Sequence, residues 1–166
     1  MNEANRTGKY LQDLIKLSAQ HLQLGCVRFK DAGFVGDKSE QRRFTSKNVA
    51  DFIVYGPDTG IAFIEAKNRD SSLTFESITQ TADLLKLHNT HQTLGITQAL
   101  CGVLVMFRNK NKVFWVPVEN LTTLQKKTNK KSFNATDVIT YHCGVELPLF
   151  IPPKKRKALI DLTAIQ

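Results

Sequence analysis

Asn48-Val49-Ala50-Asp51-Phe52-Ile53-Val54-Tyr55-Gly56-Pro57-Asp58-Thr59-Gly60-Ile61-Ala62-Phe63-Ile64-Glu65-Ala66-Lys67 reads as two strands joined by a tight turn. Residues 51–55 and 61–66 have the β-branched and aromatic content of strands, and Gly56-Pro57-Asp58-Thr59-Gly60 is a turn signal. A hairpin symmetric about Asp58 sets Asp51 opposite Glu65. Opposed residues have Cβ atoms roughly 4.5–5.5 Å apart, close enough for two carboxylates to share one hard cation. Lys67 lies two residues past Glu65 and points to the same face. Three charges in an apolar frame are expensive to bury without partners.

Asp51, Glu65 and Lys67 match what a magnesium-dependent phosphodiesterase requires. Two carboxylates hold a hard cation and leave the remaining positions to water and phosphate. The cation polarises the phosphate and acidifies a bound water, and a lysine on the same face orients that water or offsets developing charge. A Glu-x-Lys pair alone is a common feature of surface strands. The Asp at cross-strand register is what sharpens the pattern. Asp58 sits at the turn, only seven residues before Glu65, and is expected to lie away from the Glu65 face.

Around the hairpin, residues 5–24 carry an apolar stripe at helical spacing, with Asn5 or Thr7 as a cap and Gly25 as a stop. Cys26-Val27-Arg28-Phe29-Lys30 alternates like a strand, and residues 31–47 read as a loop or short projecting hairpin. Leu73-Thr74-Phe75 suits a short extended piece. Residues 76–100 read as helix, with Gly95 as a point of division. Residues 102–107 and 112–118 form a second hairpin about Asn109-Lys110-Asn111, and a short helix is expected over Val118–Lys126. Lys126–Lys131 reads as surface loop, Val138–Cys143 as extended chain, and residues 151–166 as a basic tail with a short apolar end, Ala158–Ile165. The order α-β-β-β-α-β-β-α predicts an α/β fold with a mixed central sheet flanked by helices, as one domain over 1–150 plus the tail.

The 166 residues carry a net charge of +8, with a hydrophobic fraction of 42% that is ordinary for a soluble globular domain. Residues 1–100 hold 12 Lys/Arg against 11 Asp/Glu, a net of +1. Residues 101–166 hold 11 against 4, a net of +7. A basic excess in one half points to a polyanionic partner. No apolar run reaches a membrane span and the first residues start no signal peptide, so a membrane partner is not expected. Cys26, Cys101 and Cys143 are far apart, which suits a reducing cytosol rather than a disulfide framework or a zinc knuckle. His88 and His91 lie one helical turn apart but lack an obvious third ligand. Trp115 reads as core or interface rather than a base-stacking platform.

Asp51…Glu65-Ala66-Lys67 resembles the PD-(D/E)xK nuclease motif. Within that superfamily the chain is similar to the RecU-type Holliday junction resolvases. The likeness lies in Asn5-Arg6-Thr7-Gly8-Lys9-Tyr10-Leu11 opening a helix, Ser46 to Phe52 leading into the first motif strand, Phe63-Ile64-Glu65-Ala66-Lys67, and His91-Gln92 about ten residues before the strand Cys101–Arg108. It covers most of residues 5–120 and runs more loosely to about 150. It implies a restriction-endonuclease-like fold with a stalk insertion at 31–47, and a homodimeric Mg²⁺-dependent endonuclease, with Mn²⁺ as a substitute. Such an enzyme cuts paired strands of a branched DNA junction, needs no small-molecule cofactor and works in the cytoplasm of a bacterium or phage-infected cell. Asp51 and Glu65 would be metal ligands with the Ala66 carbonyl, Lys67 would serve the water or the transition state, and Gln92 would support the site from its helix. Arg28, Lys30, Arg42, Arg43, Lys47 and Arg69 would contact DNA.

The chain departs from that family at two places. Gln12, beside Asp13, stands where the first helix usually carries a Glu, and the stalk is short. The short stalk also suits a PD-(D/E)xK endonuclease acting on other DNA, as in restriction or repair. A non-catalytic DNA-binding module would more naturally have lost the Asp or the Lys.

Overall fold

The computed structural model describes residues 3–29, 48–57, 60–153 and 157–165, with side chains of the first helix described from Gly8 onward. A six-stranded mixed sheet forms the centre, in the order β1-β2-β3-β5-β6-β8. Its strands are β1 (Gly25–Arg28), β2 (Phe52–Gly56), β3 (Gly60–Arg69), β5 (Ala99–Phe107), β6 (Lys112–Pro117) and β8 (Val145–Leu147). β3 and β5 run parallel, connected through α2 (Thr81–Thr93), while the other neighbours are antiparallel. β5 is buried almost throughout, as a strand covered on both faces must be.

α1 (Glu3–His21) lies on one face of the sheet. Leu11, Leu14, Ile15 and Ala19 pack there against Phe52, Val54, Ile64, Leu104 and Trp115. α2, α3 (Val118–Thr128) and α4 (Ala135–Thr140) cover the other face. Their core includes Leu84, Leu121, Leu124 and Val138 against Val103, Val105, Phe107, Phe114 and Val116. A small ladder of β4 (Leu73–Thr74) and β7 (Ser132–Phe133) closes this second core near the end of β3.

Two glycines have steric reasons. A Cβ on Gly25 would clash with the ring of Tyr55, its partner across the β1–β2 ladder. A Cβ on Gly102 would come within 2.7 Å of the Trp115 ring and 2.6 Å of the Val116 carbonyl. Trp115 is thus wholly buried core.

The structure corrects several boundaries. The first helix stops at His21, because Gln23 takes the left-handed conformation at φ 57° and ends it before Gly25 is reached. The helix expected over 76–100 spans only Thr81–Thr93; Gly95, at φ 71°, ends it for good, and β5 begins at Ala99. Lys126–Lys131 is not all loop, since α3 continues to Thr128. Residues 138–143, expected as extended, are not a strand: 138–140 are the last residues of α4 and 141–142 form the turn after it. Its N-cap Asn134 accepts from the Asp137 amide while Asp137 accepts from the Asn134 amide, a reciprocal cap that overrides the β-branched content of the segment.

The last residues are also built into the fold. β10 (Leu159–Ile160) pairs with β9 (Leu149–Phe150), and Leu159, Ile160, Leu162 and Ile165 join the α1-side core. The Ile160 amide donates to the buried Ser18 Oγ at 2.9 Å. Among the described residues, no helix is long and apolar enough to cross a membrane.

Two measurements test this packing. Ser18→Ala leaves the Ile160 amide without its acceptor and should lower stability by about 1–3 kcal/mol in urea unfolding, with faster amide exchange at Ile160. Burial, with Glu119 as a lesser cause, pushes the Cys101 thiol up to about 11. Cys101 should therefore resist alkylation at pH 8 in the folded protein and react fully in denaturant, as followed by mass spectrometry.

Candidate active site

The β2–β3 register runs from Gly56↔Gly60 to Phe52↔Ile64, so the next residues outward are Asp51 and Glu65. Asp51 is fixed through its backbone on both sides. Its amide donates to the Ile64 carbonyl at 3.0 Å, and its own carbonyl accepts from the Phe29 amide at 2.9 Å. Its side chain is fixed as well: Asp51 Oδ2 accepts from the Ala66 amide at 2.9 Å. The first carboxylate is therefore held to the peptide that links Glu65 to Lys67.

Ile64 and Ala66 face the α1-side core, so Glu65 and Lys67 point to the opposite face, where their parallel partners Val103 and Val105 lie. Glu65 is 1% exposed, and Lys67 Nζ stands 2.8 Å from its Oε1, with the lysine side chain 16% exposed. A carboxylate this deeply buried depends on its partners to remain ionised. Lys67 is one such partner and still reaches the surface.

The donor set suits a hard cation. Asp51 and Glu65 stand on adjacent strands at matching register, Asp51 Oδ2 on the Ala66 amide and Glu65 Oε1 beside Lys67 Nζ, and carboxylate and carbonyl oxygens of this kind could hold such an ion with positions left for water and phosphate. Among the described residues, no three His, Cys, Asp or Glu side chains gather into one cluster. Gln12 and Asp13 belong to α1, which packs on the sheet face opposite Glu65 and Lys67; Gln12 is half-buried and Asp13 exposed.

α2 crosses above the Glu65 face. Gln92 is exposed near its end, while the preceding residue, His91, packs its ring on Phe63 with centroids 5.5 Å apart. Phe63 lies two residues before Glu65 on β3, hence on the same face. His91 Nδ1 is buried without a hydrogen-bond partner among the described residues. His88, one helical turn earlier and without a third ligand in the sequence, turns its Nδ1 toward Glu119 Oε2, 3.9 Å away. The signal for His91 was the period-two step from Glu65 to Phe63, which marks the strand face a crossing helix must cover.

Of the residues expected at DNA, Arg28 is exposed on β1 and Arg69 half-buried at the end of β3, its Nη1 donating to the Asn68 carbonyl at 3.0 Å. Lys30, Arg42, Arg43, Lys47, the stalk at 31–47 and the turn residue Asp58 lie outside the described residues.

Asp51 has a structural task separable from its charge. Asp51→Ala removes the acceptor of the Ala66 amide and should cost about 1–2 kcal/mol in urea unfolding. Asp51→Asn keeps a carbonyl oxygen for that amide and should recover most of the loss.

No family model matches the chain, and no curated protein matches it in sequence. Among solved structures it is similar to Hjc of Archaeoglobus fulgidus, described as a Holliday junction resolvase from an archaeal hyperthermophile. The TM-score is 0.53 at 17% identity, over 84% of this chain and 95% of that one. The chain has the restriction-endonuclease-like α/β fold of that protein, a mixed central sheet flanked by helices.

Proposed function

We propose that this protein is a Mg²⁺-dependent, structure-specific DNA endonuclease that resolves four-way junctions by paired cuts. The observation that carries the proposal is the buried Glu65–Lys67 ion pair on β3, with Asp51 held to the Ala66 amide between them. That trio on this fold is a constellation for phosphodiester hydrolysis. The sequence resemblance to RecU-type resolvases and the activity named for the structural neighbour both support a junction as substrate.

Asp51, Glu65 and the Ala66 carbonyl would hold the cation, which would supply Lewis acidity to the phosphate and a more acidic bound water. Asp51 and Glu65 are held by the two sides of a hairpin, so their relative position is fixed before substrate arrives. Lys67 presents a compact ammonium beside Glu65, where it offsets negative charge on the phosphoryl oxygens and orients the attacking water. His91 borders the same face from α2, and Gln92, the next residue, would support the site from there. Two symmetric cuts in a branched substrate call for two copies of one such site, hence a homodimer. A nuclease acting on other DNA is the second proposal, favoured by the small number of residues available for a stalk at 31–47.

A synthetic four-way junction and a matched linear duplex, each incubated with the protein and Mg²⁺, separate the two. Symmetric nicks in the junction alone are expected, and equal cutting of the duplex would remove junction specificity. Lys67→Ala should lower the single-turnover cleavage rate by about 10²- to 10³-fold while binding is largely kept. Chelation with EDTA should stop cleavage, and Mn²⁺ should restore it.

A further inference from the structure

The basic residues between positions 108 and 131 gather in one region of the fold. β3 and β5 run parallel and finish side by side, with Arg69 opposite Phe107. Arg108 and Lys110 form the turn that follows, and Lys112 opens β6. α3 starts where β6 ends, beside the start of β5 at the opposite end of the strands, and runs back toward this turn. Its return is fixed by Phe133, just beyond it, whose ring lies 6.2 Å from that of Phe107, the last residue of β5. The Lys131 carbonyl accepts from the Phe75 amide at 3.1 Å, which ties the same segment to the chain leaving β3. Lys126, Lys127, Lys130 and Lys131 therefore lie at the end of the sheet that carries Lys67 and Arg69.

Acidic neighbours account for part of this charge. Lys112 pairs with Glu146 at 2.7 Å, Lys130 with Asp137 at 3.1 Å, and Arg108 more loosely with Asp70 at 3.8 Å. Lys127 Nζ reaches the Tyr141 carbonyl at 3.4 Å. Lys110, Lys126 and Lys131 are exposed, and none forms an ion pair among the described residues.

We propose that Lys110, Lys126 and Lys131 form a phosphate-binding track for a duplex arm of the DNA, leading away from Arg69 across the β5–β6 turn and the end of α3. The inference rests on the nuclease reading and names where on the chain the uncut part of the substrate lies. Lysines on long flexible stems act as point charges, suited to a regular polyanion rather than to bidentate recognition of one group. Double-helical DNA offers such an array, and contacts to it position the duplex without reading bases. The track would hold an arm while Glu65 and Lys67 engage the strand to be cut.

The test is the salt dependence of binding to a fluorescent duplex and a four-way junction, by anisotropy in EDTA with the full chain. The slope of log K against log salt should fall by about 0.9 for each lysine that contacts a phosphate, so by about two to three for the Lys110→Ala/Lys126→Ala/Lys131→Ala variant. The corresponding triple Lys→Arg variant should keep the wild-type slope. Removing Lys9, Lys16 and Lys86, exposed on the long helices, removes the same three charges elsewhere and should leave the slope nearly unchanged. An unaltered slope in the triple Ala variant, or an equal loss in the control, overturns the track. Cleavage by the wild-type chain is assayed in parallel. A reduced slope without any cleavage keeps the track and removes the nuclease, whereas cleavage with an unaltered slope does the reverse. Absence of DNA binding removes both.

Discussion

A carboxylate 1% exposed in the middle of a sheet is the constraint on which the rest depends. Glu65 needs cationic and polar partners close by, and β3 supplies them by its period. Two residues on, Lys67 reaches the same face, and one residue on, the Ala66 amide fixes Asp51. The rest of the sheet supports that arrangement. β5 presents Val103 and Val105 beside Glu65 and Lys67, which keeps the face dry. A dry surrounding strengthens the ion pair and makes any loss of a partner costly. Apolar residues would pack this position at lower cost, so Glu65 and Lys67 mark the place where the chain departs from a pure core.

The hairpin was legible in the sequence because its signals are local. β-Branched alternation, a Gly-Pro turn and two carboxylates at matching distance from Asp58 require no knowledge of the rest of the chain, and the register found in the structure is the one those signals imply. The buried strands β5 and β6 and the start of α3 were legible for the same reason. α4 was not, because Val138 and Ile139 favour strand by propensity while the cap at Asn134 and Asp137 decides for helix. The place of Leu159 and Ile160 was hidden too. Their partners, β9 and Ser18, can be identified only once the fold has brought them near.

Charge illustrates the same division. The count of basic residues in residues 101–166 is a plain reading of the sequence. The gathering of those between positions 108 and 131 at one end of the sheet depends on the direction of α3 and on Phe133 meeting Phe107. His91 is a parallel case: its spacing from His88 says nothing of its partner, which is Phe63, while His88 turns toward Glu119.

The connection between Ser18 and Ile160 spans 142 residues, whereas Asp51 and Ala66 are 15 apart. The chain thus joins a short-range hairpin to very long-range closure, a topology that slows folding. During synthesis the hairpin can pair as soon as it emerges, but β5 and the last residues follow much later. Until they arrive, Glu65 and Lys67 remain hydrated and no low-dielectric site exists. Completion of the fold and readiness of the site therefore coincide, and a nascent or truncated chain would carry the motif without the environment that gives it force.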